Sequence, residues 1–99
     1  MADFDIAQID DVIHGRMRLG IVAYLANAEV ADFNELKAAL QATQGNLSVH
    51  LRKLEEAGYL SSEKTGNGAA SRTAVALTTS GRAALDAYTE ALRDLLGGL

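Results

Sequence analysis

At Gly58 the hydrophobic rhythm of this chain switches from a helical period to an alternating one, and each side of the switch dictates its own local structure. Upstream, Leu47, Leu51 and Leu54 recur at steps of four and three, so they line one side of a helix and leave the other side polar. Thr43 is placed to cap the orphan amides of the first turn, and Gly58 to take the left-handed conformation that stops a helix, which predicts a helical element over 43–58. Downstream, Tyr59–Thr65 and Arg72–Thr78 read as strands. The stretch Gly66-Asn67-Gly68-Ala69-Ala70-Ser71 between them reads as a flexible tip, so residues 59–78 are predicted to form a β-hairpin.

The flanking segments are helical in pattern. Ile6, Ile9, Ile13, Met17, Ile21 and Leu25 predict a first helix between Ile6 and Ala28, interrupted by Gly15 and Gly20, which call for a kink or for close packing. Asn34 is placed to cap a short second helix through Leu40, with Glu35 at its positive end and a bridge of strand at Asp32-Phe33. The polar turn Gln41–Gly45 then leads to the Leu47 helix, and two short helices joined by a tight turn make a helix-turn-helix. Ser80 is the expected cap of a last helix over 80–97. Its Leu85, Tyr88, Leu92, Leu95 and Leu99 follow the steps of a coiled-coil seam, which wants a partner helix. About five turns exceed what a small core needs for cover, so the expectation is a homodimer. Its interface combines these five residues with Ile6, Ile9 and Ile13 of the first helix.

Composition bounds the function. With 99 residues and 48% hydrophobic content the chain can bury one modest core, so residues 1–99 are expected to form a single domain. There is no cysteine, which excludes disulfides, thiolate metal sites and cysteine nucleophiles, and suits a reducing cytoplasm. No stretch approaches the roughly 20 apolar residues of a membrane span, and the acidic start is unlike a basic secretory leader. The net charge of −4 argues against a nucleic-acid partner, but its distribution argues for one. Lys and Arg against Asp and Glu number three to seven over 1–43, four to three over 44–74, and two to three over 75–99, so the middle is slightly basic.

Chemistry-bearing residues are few. His14 follows Asp10 and Asp11 at helical spacing, but only His50 remains to complete an imidazole set, so a hydrogen bond is the better reading and no metal site is expected. His50 lies beside the leucine stripe and reads as a packed, hydrogen-bonded histidine. Gly66-x-Gly68 lacks the lysine and following helix of a phosphate loop, and no nucleophile elbow joins Ser, His and Asp. Neither an enzymatic activity nor a cofactor is expected.

Several segments resemble the MarR/ArsR-type superfamily, most closely its short stand-alone winged-helix DNA-binding regulators. They are His14-Gly15-Arg16-Met17-Arg18-Leu19-Gly20-Ile21, Phe33-Asn34-Glu35-Leu36-Lys37, the run from Asn46 to Leu60, and Leu77-Thr78-Thr79-Ser80-Gly81-Arg82. The fold implied is mainly α with a small β-wing (α+β), a winged helix-turn-helix with a long C-terminal dimerisation helix. The resemblance implies that the 43–58 helix enters the major groove of duplex DNA while the wing reaches a backbone or minor groove. A groove about 12 Å wide admits a helix, and the side opposite the leucines faces the base edges. Gln44, Asn46, Ser48, Val49 and Arg52 are then the base-reading set. Thr43, Lys53, Lys64 and Arg72 suit phosphates, with Asn67 at the wing tip. The tip lacks the basic cluster of related wings, and neither a cysteine metal sensor nor a ligand-enclosing pair of long helices is visible. The expected function is transcriptional regulation, most simply repression, at a palindromic operator. The alternatives are a winged-helix module for protein partners, favoured by the acidic total, and a ligand- or metal-responsive switch at the dimer interface, for which the sequence names no effector.

Overall fold

The computed structural model describes residues 4–97, which form four helices and a three-stranded antiparallel sheet. In chain order these are α1 (Arg16–Ala28), β1 (Val30–Asp32), α2 (Phe33–Leu40), α3 (Gln44–Glu56), β2 (Leu60–Thr65), β3 (Arg72–Leu77) and α4 (Thr79–Leu95). The strand order is β1-β3-β2, with Ala31 opposite Val75 and Leu60 opposite Leu77, so the wing hairpin is anchored to the helical body through β1.

The first helix is shorter than its apolar stripe. Residues Ile6–Gln8 form a single 3-10 turn capped by Asp5, and α1 starts only at Arg16. Two local causes break the helix. The Asp10 carboxylate accepts from the amides of Val12 (2.7 Å) and Ile13 (3.2 Å), offering the backbone a turn in place of a helix. Gly15 then sits at φ 149°, a conformation side chains rarely adopt. Gly20 serves packing instead, since a Cβ there would lie 3.0 Å from Leu40 Cδ2 where α1 and α2 meet.

Two caps also differ from expectation. Asp32, not Asn34, caps α2, its Oδ1 accepting from the Glu35 amide at 2.7 Å. Thr78, not Ser80, caps α4, its hydroxyl accepting from the Gly81 amide at 2.9 Å and donating to the Gly58 carbonyl at 2.6 Å. In both cases the residue that leaves the strand in extended geometry lies two positions earlier, and a cap must have that geometry. Thr43 caps α3 through the Asn46 amide, and Gly58 stands at φ 83° just past its end.

The core has two parts. Ile21, Val22 and Leu25 of α1 meet Ala31, Leu36, Leu47, Leu51, Leu54, Leu60 and Val75, joining the helix-turn-helix to the sheet. A second cluster packs Ile9 and Ile13 against Tyr88 and Ala91 of α4, flanked by Leu92 and Leu95. This corrects the expected interface. Ile9, Ile13 and Tyr88 are buried by their own subunit, Ile13 completely, because the segment before α1 folds back over α4 and covers the seam from within. Leu85 is half-buried against the main cluster, Ile6 is 65% exposed, and Leu99 lies outside the described residues.

The junction after α3 is tightly packed at Gly81. Thr78 donates its amide to the Tyr59 carbonyl at 3.0 Å, while Gly81 packs so closely on that carbonyl that a Cβ at Gly81 would come within 2.2 Å of the oxygen. The end of α3, the end of β3 and the start of α4 therefore form one welded corner, which fixes the angle at which α3 projects.

Candidate nucleic-acid interface

Leu47 and Leu54 are fully buried and Leu51 nearly so, which pins α3 by one side only. On the other side Gln44, Asn46, Val49, Arg52 and Lys53 are exposed, and Ser48 is half-buried at the edge. Gln44 and Ser48 line a groove together with Ser71, Arg72 and Thr73, at the tip end of the wing's second strand, and with Asp32, Phe33 and Asn34. Lys64 and Asn67 are exposed on the wing. Thr43 is exposed too, but its hydroxyl oxygen is engaged as the α3 cap.

Arg72 is not a free cation. Its Nη1 donates to Asp32 Oδ2 at 3.1 Å, so the carboxylate that caps α2 through one oxygen holds the wing through the other. Glu55 is likewise turned towards the wing, accepting from the Ser62 hydroxyl at 3.0 Å. These links cross between separate elements, and no local spacing announces them.

The inner flank of α3 is tied down by Arg18. Its guanidinium donates to the carbonyls of Val12 and Asp11 and, at 3.1 Å, to Nδ1 of His50. A guanidinium can only donate, so this bond requires a neutral His50 with its proton on Nε2. Desolvation, and then the positive charges of Arg18 and Lys53, hold the His50 imidazole below its ordinary range, consistent with that form. Farther back, His14 Nδ1 and the Tyr88 hydroxyl are hydrogen-bonded at 2.9 Å, and the Tyr59 hydroxyl donates to Asp10. That bond to the carboxylate, with desolvation, pushes the Tyr59 phenol up. Arg18, Asp10 and Tyr59 thus tie the segment before α1 to the middle of α3, through His50, and to the residue just past its C-terminal end, a role sequence reading missed because its partners lie in separate elements. Among the described residues no group of three or more His, Asp or Glu could hold a metal ion, and no helix is long and apolar enough to cross a membrane.

The chain is similar to known proteins in sequence and in fold. The chain is 36% identical over 77 residues to an uncharacterised protein of Methanocaldococcus jannaschii, covering 78% of this chain and 84% of that one. The structure of a transcriptional regulator homologue from Pyrococcus horikoshii superposes with a TM-score of 0.80 at 29% identity, over 88% of this chain and 86% of that one. A MarR-family transcriptional regulator from Silicibacter pomeroyi shares the fold, with a TM-score of 0.63 at 22% identity over 89% of this chain and 61% of that one. Residues 17–96 match the family profile of the winged helix DNA-binding domain, a span from α1 to the end of α4 that takes in α3 and the wing, and the chain belongs to that family.

Proposed function

We propose that this chain is a sequence-specific, double-stranded DNA-binding transcriptional regulator, a repressor that acts in the cytoplasm as a homodimer on a palindromic operator, and not an enzyme. The observation that carries the reading is the one-sided burial of α3, which leaves Gln44, Asn46, Val49 and Arg52 exposed beside an exposed wing. Gln and Arg side chains can make paired hydrogen bonds to adenine or guanine edges, and Lys53, Lys64 and Arg72 flank them as phosphate ligands. The name of the Pyrococcus horikoshii structure, a transcriptional regulator homologue, points the same way.

Dimerisation is supported by what the subunit leaves uncovered. Phe4, Ile6 and Leu96 are exposed apolar residues, while Leu92 and Leu95 are only half-buried on α4, against which the 3-10 turn packs. A second copy related by a twofold axis would cover them and set two α3 helices about one DNA turn apart.

A protein-binding role is the second reading, favoured by the net charge of −4. A salt titration with a random duplex separates the two. DNA binding predicts an affinity that falls steeply and log-linearly with salt, with a slope of about −0.9 for each phosphate neutralised. Absence of any binding to duplex at low salt would remove the DNA reading and leave the protein module.

A further inference from the structure

α3 and the wing supply four basic side chains, Arg52, Lys53, Lys64 and Arg72, and one of the four already has an anion. Asp32 is fixed where it stands because its Oδ1 is held by the Glu35 amide in the first turn of α2. Its Oδ2 receives Arg72 through a single nitrogen, and both residues line the groove that Gln44 and Ser48 of α3 share with the start of β3. A helix amide at a positive dipole end and a guanidinium are the donors a DNA phosphate would use. In this chain a carboxylate has taken both.

Resting on the DNA-binding reading above, we infer that Asp32 competes with the DNA backbone for Arg72 and so acts as a built-in brake on sequence-independent binding. The alternative, that Asp32 merely orients Arg72 towards a phosphate, is disfavoured by the charge it brings. The carboxylate cannot swing away without uncapping α2, and a backbone passing over Gln44 and Ser48 would face it. The pair is also easily exchanged. The Arg72 side chain is 74% exposed and that of Asp32 27%, so the ion pair lies in high dielectric and binds Arg72 weakly. A phosphate that also draws on Lys53 and Lys64 can take the guanidinium over, at the cost of leaving Asp32 unpaired.

Asp32→Asn isolates this effect, since asparagine is as good a cap as aspartate and keeps the shape while removing the charge. With Arg72 released, the salt dependence of binding to a random duplex should steepen by about 0.9, equivalent to about eightfold tighter binding at 0.1 M salt. The melting temperature should stay within a few degrees. In an Arg72→Ala background the same Asp32→Asn change should steepen the dependence clearly less, because only the direct repulsion between carboxylate and phosphate is then relieved. An unchanged slope in Asp32→Asn, weaker binding, or a gain that persists undiminished without Arg72 would each overturn the brake while leaving the DNA reading intact. If neither wild type nor Asp32→Asn bound any duplex, both would fall.

Discussion

Gly81→Ala is expected to lower the melting temperature by about 12–24 °C, the loss that about 3 kcal/mol of overpacking produces in a domain of this size. The new methyl group would have to occupy space 2.2 Å from the Tyr59 carbonyl oxygen and 3.0 Å from its carbon. Neither atom can yield cheaply, because both are backbone. That oxygen accepts the Thr78 amide, and the Tyr59 amide is itself donated to the Leu54 carbonyl at the end of α3. Relief therefore requires α4 to move away from the end of α3, which also strains the Thr78 bonds to Gly58 and Gly81. Gly45→Ala is the matched control. A Cβ there meets nothing within 4 Å, and alanine is the better helix former, so thermal unfolding should show no loss. A Gly81→Ala protein that melts within 3 °C or so of wild type would show that the corner is not the rigid joint described above.

Arg52→Ala is expected to weaken binding to a preferred duplex by about 5- to 150-fold, the equivalent of the 1–3 kcal/mol that a paired guanidinium-to-guanine contact contributes. Binding to random duplex should fall much less, because only one phosphate-range charge is lost there. The discrimination rests on placement. Arg52 follows the buried Leu51 on the helix, points outward and is exposed, so its removal leaves the core untouched and stability within about 0.5 kcal/mol. Parallel titrations on the two duplexes check this. Equal losses on both would reassign Arg52 from base reading to backbone contact.

Much of this architecture was legible in the chain itself. The leucines of α3, the Thr43 cap, the Gly58 stop and the alternating strands are local signals, and the structure has each where its chemistry requires. The caps of α2 and α4 were misplaced because two capping residues stand two apart in each case. Only the strand that precedes them decides which one is extended. The first helix was overextended because Ile9 and Ile13 keep a helical period while Asp10 draws the backbone into a turn.

The largest revision concerns what the apolar stripes touch. Periodicity shows that Ile13 and Tyr88 must be covered, yet it cannot say by which chain, and the subunit covers them itself. Charge suffers from the same blindness. Arg72 reads as a free phosphate ligand until Asp32, forty positions earlier in the sequence, is seen beside it. His50 was recognisable as a hydrogen-bonded histidine, but its partner Arg18 lies on another helix. The pairings that were missed are long-range, because pairing between elements is set by tertiary packing and leaves no periodic trace.

The central claim is that the outer face of α3 reads base pairs in duplex DNA. Selecting the preferred duplexes of the wild-type protein from a random pool tests it most directly. The account predicts an enriched inverted repeat whose half-sites are centred about one helical turn apart. A pool that emerges with no sequence enriched, at a salt concentration where the protein binds duplex, would contradict it.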